Sequence, residues 1–193
     1  MSYCPFMSPT RKALLAVASV TVLAERGPRG LTHRAVDAAA KLSAGAVNYH
    51  APNRAALLTL ALEEVFAADM ATAAAHFSLE EWSHDSVVAA VVGFVTDMCS
   101  VDNRIRVIAR HHLRGEAMNH PQLRATFDLQ LAAFTTLVRD GMVAAKVEAT
   151  TASAELFALS VDGLLLRQVM VGAQPLSERD VRAIADMIAR RQS

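Results

Sequence analysis

The segment Leu31–Leu57 reads LTHRAVDAAAKLSAGAVNYHAPNRAAL, and its pattern decides the fold of the N-terminal part of the chain. Residues 33–40 and 44–50 have the apolar spacing of two short helices, for which Thr32 and Ser43 are good N-caps. Two short helices joined by a tight turn form a helix-turn-helix unit. The residues alone leave open whether the end of the second helix belongs to a core edge, a ligand site or a DNA-contacting surface.

Outside this segment, apolar residues recur with the period of amphipathic helices. The run Val87–Val95 is rich in a β-prone residue, but its length and its i, i+3, i+4, i+7 recurrence favour a helix over a strand. We therefore predict an all-α fold of about nine helices. Besides the two short ones, the predicted helices cover about 9–26, 54–77, 85–99, 103–118, 121–146, 152–171 and the residues that follow Ser177, which starts the last helix with Asp180 as a capping-box-like pair.

The composition is that of a globular protein with a sizeable core. Of 193 residues, 53% are hydrophobic and 20% charged, so a disordered chain is disfavoured. Cys4 and Cys99 are far apart and lack the spacing of a zinc site or a disulfide framework. Neither a signal-peptide core nor a long apolar window is present, so we expect a cytoplasmic protein without a membrane partner. With no glycine-rich phosphate loop in the sequence, we expect no cofactor.

The charges of the chain are distributed unevenly, although the formal net charge is zero. Residues 1–57 hold seven basic and two acidic side chains, a net charge of +5, and the remainder carries −5. A basic head on an acidic body indicates that the head meets a polyanion. A chance asymmetry of this size is the competing interpretation.

The second helix of a helix-turn-helix lies in the major groove of DNA, and its predicted surface suits that position. The small residues 44–46 allow the backbone to approach the groove, and Asn48 can pair with a base edge, most favourably adenine. Tyr49 and His50 can donate hydrogen bonds to phosphate oxygens, as can the helix N-termini at Thr32 and Ser43. The competing interpretation is a trihelical packing unit in which Tyr49 is half-buried.

The same segment resembles the DNA-binding domain of TetR-type transcriptional repressors over about residues 15–58. The matching positions are Leu31, Thr32, Arg34, Ala35, Ala40, Ser43, Gly45, Ala46, Val47, Asn48, Tyr49, His50 and Leu57, preceded by Ala-Glu-Arg-Gly at 24–27. The resemblance implies that Thr32 and Arg34 contact the DNA backbone, that Ala44–Ala46 and Asn48 face bases, and that Tyr49, His50 and Arg54 hold phosphates. Ser43, at the N-terminus of the second short helix, is added to this set. The predicted DNA-binding residues are then Thr32, Arg34, Ser43, Ala44, Gly45, Ala46, Asn48, Tyr49, His50 and Arg54.

Two positions depart from the family pattern. The family usually has Gly where this chain has Lys41, at a turn position that requires left-handed backbone, and the substitution costs about 1 kcal/mol. It usually has Phe where this chain has Ala51, so the anchor between the head and the next helix is smaller unless a neighbour such as Phe66 fills the gap.

The resemblance also implies a division into two domains. Residues 1–52 would form the helix-turn-helix DNA-binding domain, and 53–193 a helical ligand-binding and dimerisation domain. Because the boundary falls at or just inside the helix that begins near residue 54, the two parts are expected to share a helix rather than a flexible linker.

The predicted body contains polar residues on otherwise apolar helical stripes, among them His112, Glu116 and Asp162. They are more simply hydrogen-bonded core or interface residues than ligand contacts. The resemblance nevertheless implies a cavity, and its candidate lining residues are Met98, His112, Glu116, Phe127, Phe134 and Asp162. A metal site at His111, His112 and Glu116 is disfavoured because adjacent helical residues point about 100° apart.

The last two predicted helices provide a broad apolar face. We expect it to form a two-fold homodimer, since a helix-turn-helix protein reads a palindrome as a dimer. The alternative is that these faces are buried within the monomer. The candidate interface residues are Leu156, Leu159, Gly163, Leu164, Val181, Ile184 and Ile188.

These observations predict a ligand-responsive DNA-binding regulator without catalytic activity. We expect a repressor that binds a palindromic double-stranded DNA operator and is released by a small-molecule inducer. Two alternatives from other classes stay open. One is a helical small-molecule carrier or sensor without DNA binding, and the other is a small helical enzyme that uses His112 and Glu116 as acid and base.

Overall fold

A computed structural model of the chain describes residues 10–79, 81–144, 146, 149–169 and 174–190. The predicted helix start near Pro9 and the residue Cys4 lie outside this part. Within it the fold is all-α, as predicted, with eight α-helices and one 3-10 helix at Val47–Tyr49. The α-helices are α1 (Arg11–Gly30), α2 (His33–Ala39), α3 (Arg54–Phe77), α4 (His84–Met98), α5 (Arg104–Ala117), α6 (Pro121–Ala144), α7 (Thr151–Val169) and α8 (Glu178–Ala189).

Side-chain caps define where several helices begin. Thr32 Oγ1, Asn53 Oδ1 and Ser177 Oγ accept hydrogen bonds from the amides three residues further on, at 3.2, 2.9 and 3.2 Å. Each bond satisfies one of the amide donors that a helix leaves unpaired at its first turn. At the other end of α1, Gly27 has φ 66° and ψ −178°, which interrupts the helix before a last turn that reaches Gly30. The caps at Thr32 and Ser177 are confirmed.

The predicted α-helix over 44–50 is wrong. Residues 44–46 form a turn, and only Val47–Tyr49 are helical, with a 3-10 geometry. Gly45 has φ 88°, a left-handed conformation that an α-helix cannot contain. Ser43 does not cap this segment through its side chain; its Oγ instead accepts a bond of 3.4 Å from Arg11 Nη2. The recognition segment, residues 44–50, is therefore shorter and tighter than the helix expected from the sequence.

The buried apolar residues form two cores. The first core joins α1, α2 and the recognition segment to the first half of α3, Leu57–Val65, and to Leu113 and its neighbours on α5. The second core lies between α4, α6, α7 and α8 and the far half of α3, where Phe77 is buried. Helix α3 therefore belongs to both cores. The first core includes residues on both sides of the predicted domain boundary at residue 52. The packing therefore does not divide the chain there, and the boundary stays a prediction about function.

The predicted dimer residues do not share one exposed face. Leu164, Val181 and Ile188 are buried in the second core, and Ile184 packs against it. The physical reason is that α8 packs on α4 of the same chain and uses its apolar stripe there. For these four residues the alternative of burial within the monomer is the correct one. The exposed members are Leu156, Leu159 and Gly163 on α7.

Within the described residues, no helix is both long and apolar enough to cross a membrane. Helix α4, which contains the valine-rich run, has 15 residues. Its valines supply buried contacts to the second core instead.

Trp82 packs directly on α6 at Gly141. A Cβ atom added at Gly141 would lie 2.6 Å from Trp82 Cζ2 and 2.8 Å from Cε2 and Nε1. The indole is buried and also contacts the Phe157 ring, with 6.2 Å between centroids. Glycine is thus required at 141 because the tryptophan ring occupies the space of a side chain.

The substitution Gly141→Ala should lower the free energy of unfolding. Overpacking of this kind costs about 1–3 kcal/mol, which exceeds the gain of about 1 kcal/mol for replacing a helical glycine. Gly115→Ala is the matched control, since a Cβ there meets nothing within 4 Å. Urea denaturation should show the control unchanged or stabilised. Equal stabilisation of both variants would contradict the packing of Trp82 on α6.

Candidate DNA-binding surface and ligand cavity

A buried carboxylate holds the recognition segment against α2. Asp37 is 3% exposed, and its Oδ2 and Oδ1 accept hydrogen bonds from the amides of Gly45 at 2.7 Å and Val47 at 2.9 Å. Bonds from amides to a charged acceptor are stronger than neutral ones, particularly away from water. Asp37 therefore fulfils the capping role that the sequence assigned to Ser43, although it comes from the preceding helix. No local pattern signals a cap that comes from eight residues upstream.

The clamp by Asp37 leaves one side of the recognition segment buried and the other exposed. Val47 is fully buried, whereas Tyr49 is 88% exposed. Asn48 is also exposed, and the Tyr49 and His50 rings meet edge to face with 5.0 Å between their centroids. The half-buried Tyr49 of the packing-unit interpretation is not found. The surface consists of the small residues 44–46 beside Asn48 and Tyr49.

The structure shows the conformation and contacts of the two residues that depart from the family pattern, Lys41 and Ala51. Lys41 has φ 55°, the left-handed conformation expected at this turn. Ala51 is fully buried, and its carbonyl accepts a bond of 2.6 Å from His33 Nε2, which joins the end of the recognition segment to α2. Phe66, considered as a filler for the missing aromatic, makes its ring contact with Phe127 in the body, with 5.2 Å between centroids.

The predicted phosphate contacts differ in how much they are already engaged. Arg34 is exposed. Thr32 is exposed too, but its hydroxyl caps α2. Arg54 donates from Nη1 to the Leu31 carbonyl at 3.2 Å and from Nη2 to Glu116 Oε2 at 3.2 Å. Arg54 thus connects the residue that precedes α2 to helix α5.

A cavity of about 570 Å³ lies between α3, α5, α6 and α7. Its size is in the range of pockets that hold small organic molecules. Four aromatic rings contribute to its wall, those of Phe66, Phe94, Phe127 and Phe134. The polar part of the wall is formed largely by arginine and aspartate side chains from α3, α5, α6 and α7.

Ion pairs connect several of these side chains into the arginine–aspartate ladder, defined here as Arg106, Asp69, Arg110, Asp162 and Arg114. All of its members except Arg106 line the cavity. Successive members alternate in charge, and the N···O distances between neighbours are 3.1, 2.8, 3.1 and 2.8 Å. The first contact lacks hydrogen-bond geometry. Burial raises the pKa of the Asp69 carboxyl, and the positive charges of Arg110 and Arg106 oppose that shift. The ladder links α3, α5 and α7 at one wall of the cavity.

The predicted ligand-binding residues divide into two groups. Phe127, Phe134 and Asp162 line the cavity. Met98 is buried in the second core, and the remaining two are also absent from the cavity wall. Glu116 pairs with Arg54, and burial together with the charge of His111 lowers the pKa of His112. The two side chains do not converge in the cavity as an acid–base pair.

No cluster of three or more metal-ligating side chains occurs among the described residues. The arginines of the ladder were not singled out from the sequence. They recur at i, i+4 and i+8 on α5, so they share one helical face, and three like charges on the buried side of a helix are a signal of a polar wall.

The C-terminal half of the chain identifies the family. A family model described as the tetracyclin repressor-like C-terminal domain matches residues 82–191. The chain belongs to the TetR family. As a member of this family, it is a helix-turn-helix transcriptional regulator rather than an enzyme. The resemblance found in residues 15–58 is thereby confirmed from a separate part of the sequence.

Solved structures share the fold of this TetR-family chain along nearly its whole length. A protein from Rhodococcus sp. assigned to the TetR family is 24% identical, with a TM-score of 0.78, and the match covers 95% of this chain and 98% of that chain. A TetR-family member from Streptomyces coelicolor A3 is 23% identical, with a TM-score of 0.74 and coverages of 93% and 98%. The multidrug binding protein EbrR in complex with ethidium is 22% identical, with a TM-score of 0.70 and coverages of 94% and 99%. Among curated proteins, no sequence matches this chain.

The Asp37 clamp can be tested by its effect on stability. Asp37→Ala leaves the buried Val47 amide without an acceptor, at a cost of about 1–3 kcal/mol, and also removes the part-buried bond to the Gly45 amide, so the free energy of unfolding should fall by about 1–3 kcal/mol or somewhat more. Asp37→Asn keeps one acceptor oxygen and should lose less. Urea denaturation measures both.

The control for this prediction is Asp102→Ala, at an exposed turn before α5. It should change the free energy of unfolding by less than about 0.5 kcal/mol. Similar losses for Asp37→Ala and Asp102→Ala would show that the carboxylate does not hold the recognition segment.

Proposed function

We propose that this TetR-family protein is a repressor that binds a palindromic operator as a homodimer and is released when a small molecule enters the body. The observation that most supports this proposal is the exposed surface of Asn48 and Tyr49, on a recognition segment that Asp37 holds in place. The net charge of +5 over residues 1–57 favours an encounter with DNA. Acting on chromosomal DNA, the protein would work in the cytoplasm.

The exposed residues suit two kinds of DNA contact. The backbone at 44–46 carries only small side chains, so it can approach the major groove closely, and Asn48 can read a base edge there. Tyr49 and Arg34 are exposed beside it and suit phosphate oxygens. Because the recognition segment has only one 3-10 turn, each head offers few base contacts. The two heads of a dimer together would make enough base contacts to distinguish an operator from other DNA.

For the dimer we propose the outer face of α7. Leu156 is 45% exposed, Leu159, which also lines the edge of the cavity, is 53% exposed, and Gly163 has no heavy atom within 4 Å of an added Cβ. Apolar residues at this spacing form a stripe that a second copy can cover. On α8, Met187 is 58% exposed and can extend the same interface.

The cavity is the proposed site of the inducer. The structurally similar EbrR binds ethidium, which supports a ligand site in a body of this fold. In this chain, α5 contributes to the cavity wall through Arg114 and Ala117 and also carries Glu116, which holds Arg54. A ligand that moves α5 would therefore draw Arg54, at the start of α3 and beside the Leu31 carbonyl, along with Glu116 and away from DNA phosphate, which would weaken DNA binding. Ligand and DNA binding are coupled through this contact.

A carrier without DNA binding is the second candidate. The observation that favours it is the short recognition segment, which replaces the full helix expected from the sequence. The two functions differ in one measurable respect, because only the repressor binds duplex DNA with an affinity that falls steeply as salt increases.

The DNA surface is tested with an operator selected from random duplexes and measured by fluorescence anisotropy. Tyr49→Ala should weaken binding to all duplexes about equally, because it removes a phosphate contact. Asn48→Ala should mainly reduce the preference for the selected operator, by about 1–3 kcal/mol of discrimination at the affected base pair. Arg34→Gln should reduce the slope of log affinity against log salt by about 1.

Arg179→Gln is the matched control for Arg34→Gln, since Arg179 is an exposed arginine on α8, in the body. It should leave both the affinity and the salt slope unchanged. Absence of any duplex binding at low salt would reject the repressor in favour of the carrier. Uniform weakening by Asn48→Ala would reject its role as a base reader.

The coupling contact is tested by a double-mutant cycle on operator affinity. Removing the Glu116 charge frees Arg54 for phosphate, so Glu116→Gln should tighten DNA binding by about threefold or more. In an Arg54→Gln background, the same substitution should change the affinity by less than about twofold.

Glu63→Gln is the control for charge alone, because Glu63 forms an exposed ion pair with Lys12, 3.9 Å long, elsewhere on α3. It should show no dependence on residue 54. Equal effects of Glu116→Gln in both backgrounds would exclude Arg54 as the connection between the body and the head.

A further inference from the structure

Three arginines and three aspartates line the cavity, so the wall itself is neutral, and Arg106 adds one positive charge through its ion pair with Asp69. With Arg106, the arginine–aspartate ladder contains three guanidinium groups and two carboxylates, and it ends at Arg114, which is the most exposed of its arginines at 49% of its side chain. Arg114 also lines the cavity. Burying an unbalanced charge is costly, so a negative group that entered the cavity would be favoured there.

The cavity offers different partners to an anionic ligand and to a cationic one. The carboxylates of Asp69 and Asp162 are each already paired with two guanidinium groups. By contrast, Arg114 has a single carboxylate partner. Arg124, a further lining residue, has no side-chain ion pair or hydrogen bond with any residue that the structure describes.

For a cationic ligand, the described residues of the wall offer one carboxylate without an ion pair, that of Asp128. Asp128 lines the cavity, is exposed, and forms no side-chain bond within the described residues. It lies one helical turn after Arg124 on α6, so the two charges partly offset each other. Arg114 shares its one carboxylate partner, Asp162, with Arg110, so its positive charge is incompletely offset and an anion is favoured beside it.

The rest of the wall requires an apolar ligand body. Phe66, Phe127 and Phe134 line the cavity together with the aliphatic side chains of Leu131 and Leu159. Aromatic rings in this arrangement favour a flat or aromatic group. A fully polar anion would leave this apolar surface without contacts, which would weaken its binding.

Building on the function proposed above, we propose that the ligand is an organic monoanion with a bulky apolar body, such as an aryl carboxylate. Its acid group pairs with Arg114 and Arg124, and its body lies among the phenylalanine rings. An acid group at Arg114 competes with Asp162 for that guanidinium, two residues before Glu116 on α5. Entry of the anion thereby loosens a contact between α5 and α7.

The charge class is tested with two matched series of probes and the full chain. One series is 1-naphthaleneacetate, 1-naphthaleneethanol and 1-naphthaleneethylamine, and the other is 4-phenylbutyrate, 4-phenylbutanol and 4-phenylbutylamine. Isothermal titration calorimetry should show that the carboxylate of at least one series binds about tenfold or more tightly than its alcohol and amine. Each series holds the apolar body constant, so the difference reports the charge.

Variants assign the preference to the named arginines. Arg124→Gln and Arg114→Gln should each weaken carboxylate binding about fivefold or more, with little effect on the alcohol, and Arg114→Lys should restore part of the loss. Arg139→Gln is the matched control on α6, because Arg139 pairs with Asp140 and does not line the cavity. Thermal unfolding checks that each variant is folded, and Arg124→Gln breaks no ion pair among the described residues.

The outcomes separate the ligand class from the proposed function. Binding that is equal across a series, or tightest for the amine, overturns the anion class. If a neutral or cationic probe binds and also causes the protein to dissociate from its operator, the proposed repressor function is still supported. A carboxylate preference that survives both glutamine variants overturns the arginine assignment. If no probe of either series binds at millimolar concentration, the inference is rejected, while operator binding still tests the function by itself.

Discussion

Helix α3 is one continuous helix of 24 residues shared by two hydrophobic cores, and the placement of the functional elements depends on it. Its first half, Leu57–Val65, packs with α1, α2 and the recognition segment, whereas Phe77 is buried among the helices of the body. Asp69 lies on the same helix and supplies the first carboxylate of the arginine–aspartate ladder. Since a packed helix moves as a unit, α3 gives the coupling proposed between the cavity and the head a rigid connection instead of a flexible linker.

Charge has a different role in each half of the molecule. In the head, the buried Asp37 carboxylate organises backbone amides and leaves the neighbouring positive charges at the surface. In the body, arginines are drawn inward and held by Asp69 and Asp162. Neutralised pairs of this kind contribute little net stability, because desolvation offsets their attraction. These pairs connect three helices in a defined arrangement, and they are the basis of the anion preference proposed above.

Much of the candidate DNA surface could be predicted from sequence because its determinants are local. The cap at Thr32 follows from a helix pattern within a few residues, and the left-handed residue at Lys41 was expected from the resemblance to the family. The recognition segment over 44–50 could not be predicted in this way. Its Gly45 and Val47 amides are bound by Asp37 from the preceding helix, and Gly45 takes a left-handed conformation. Tertiary hydrogen bonds override local helix propensity here.

The sequence by itself determined the all-α class, the places where most helices begin and end, and the family-like head, because helical periodicity and capping are encoded within one or two turns. Only the tertiary structure decided which apolar faces are used within the monomer, such as Val181 and Ile188, and which remain exposed, such as Leu156. The same holds for the polar residues of α5, because Glu116 pairs with Arg54 away from the cavity wall and Arg110 pairs with Asp69 and Asp162. A helical pattern shows that a face is apolar or charged, but its partner is set by how distant helices pack.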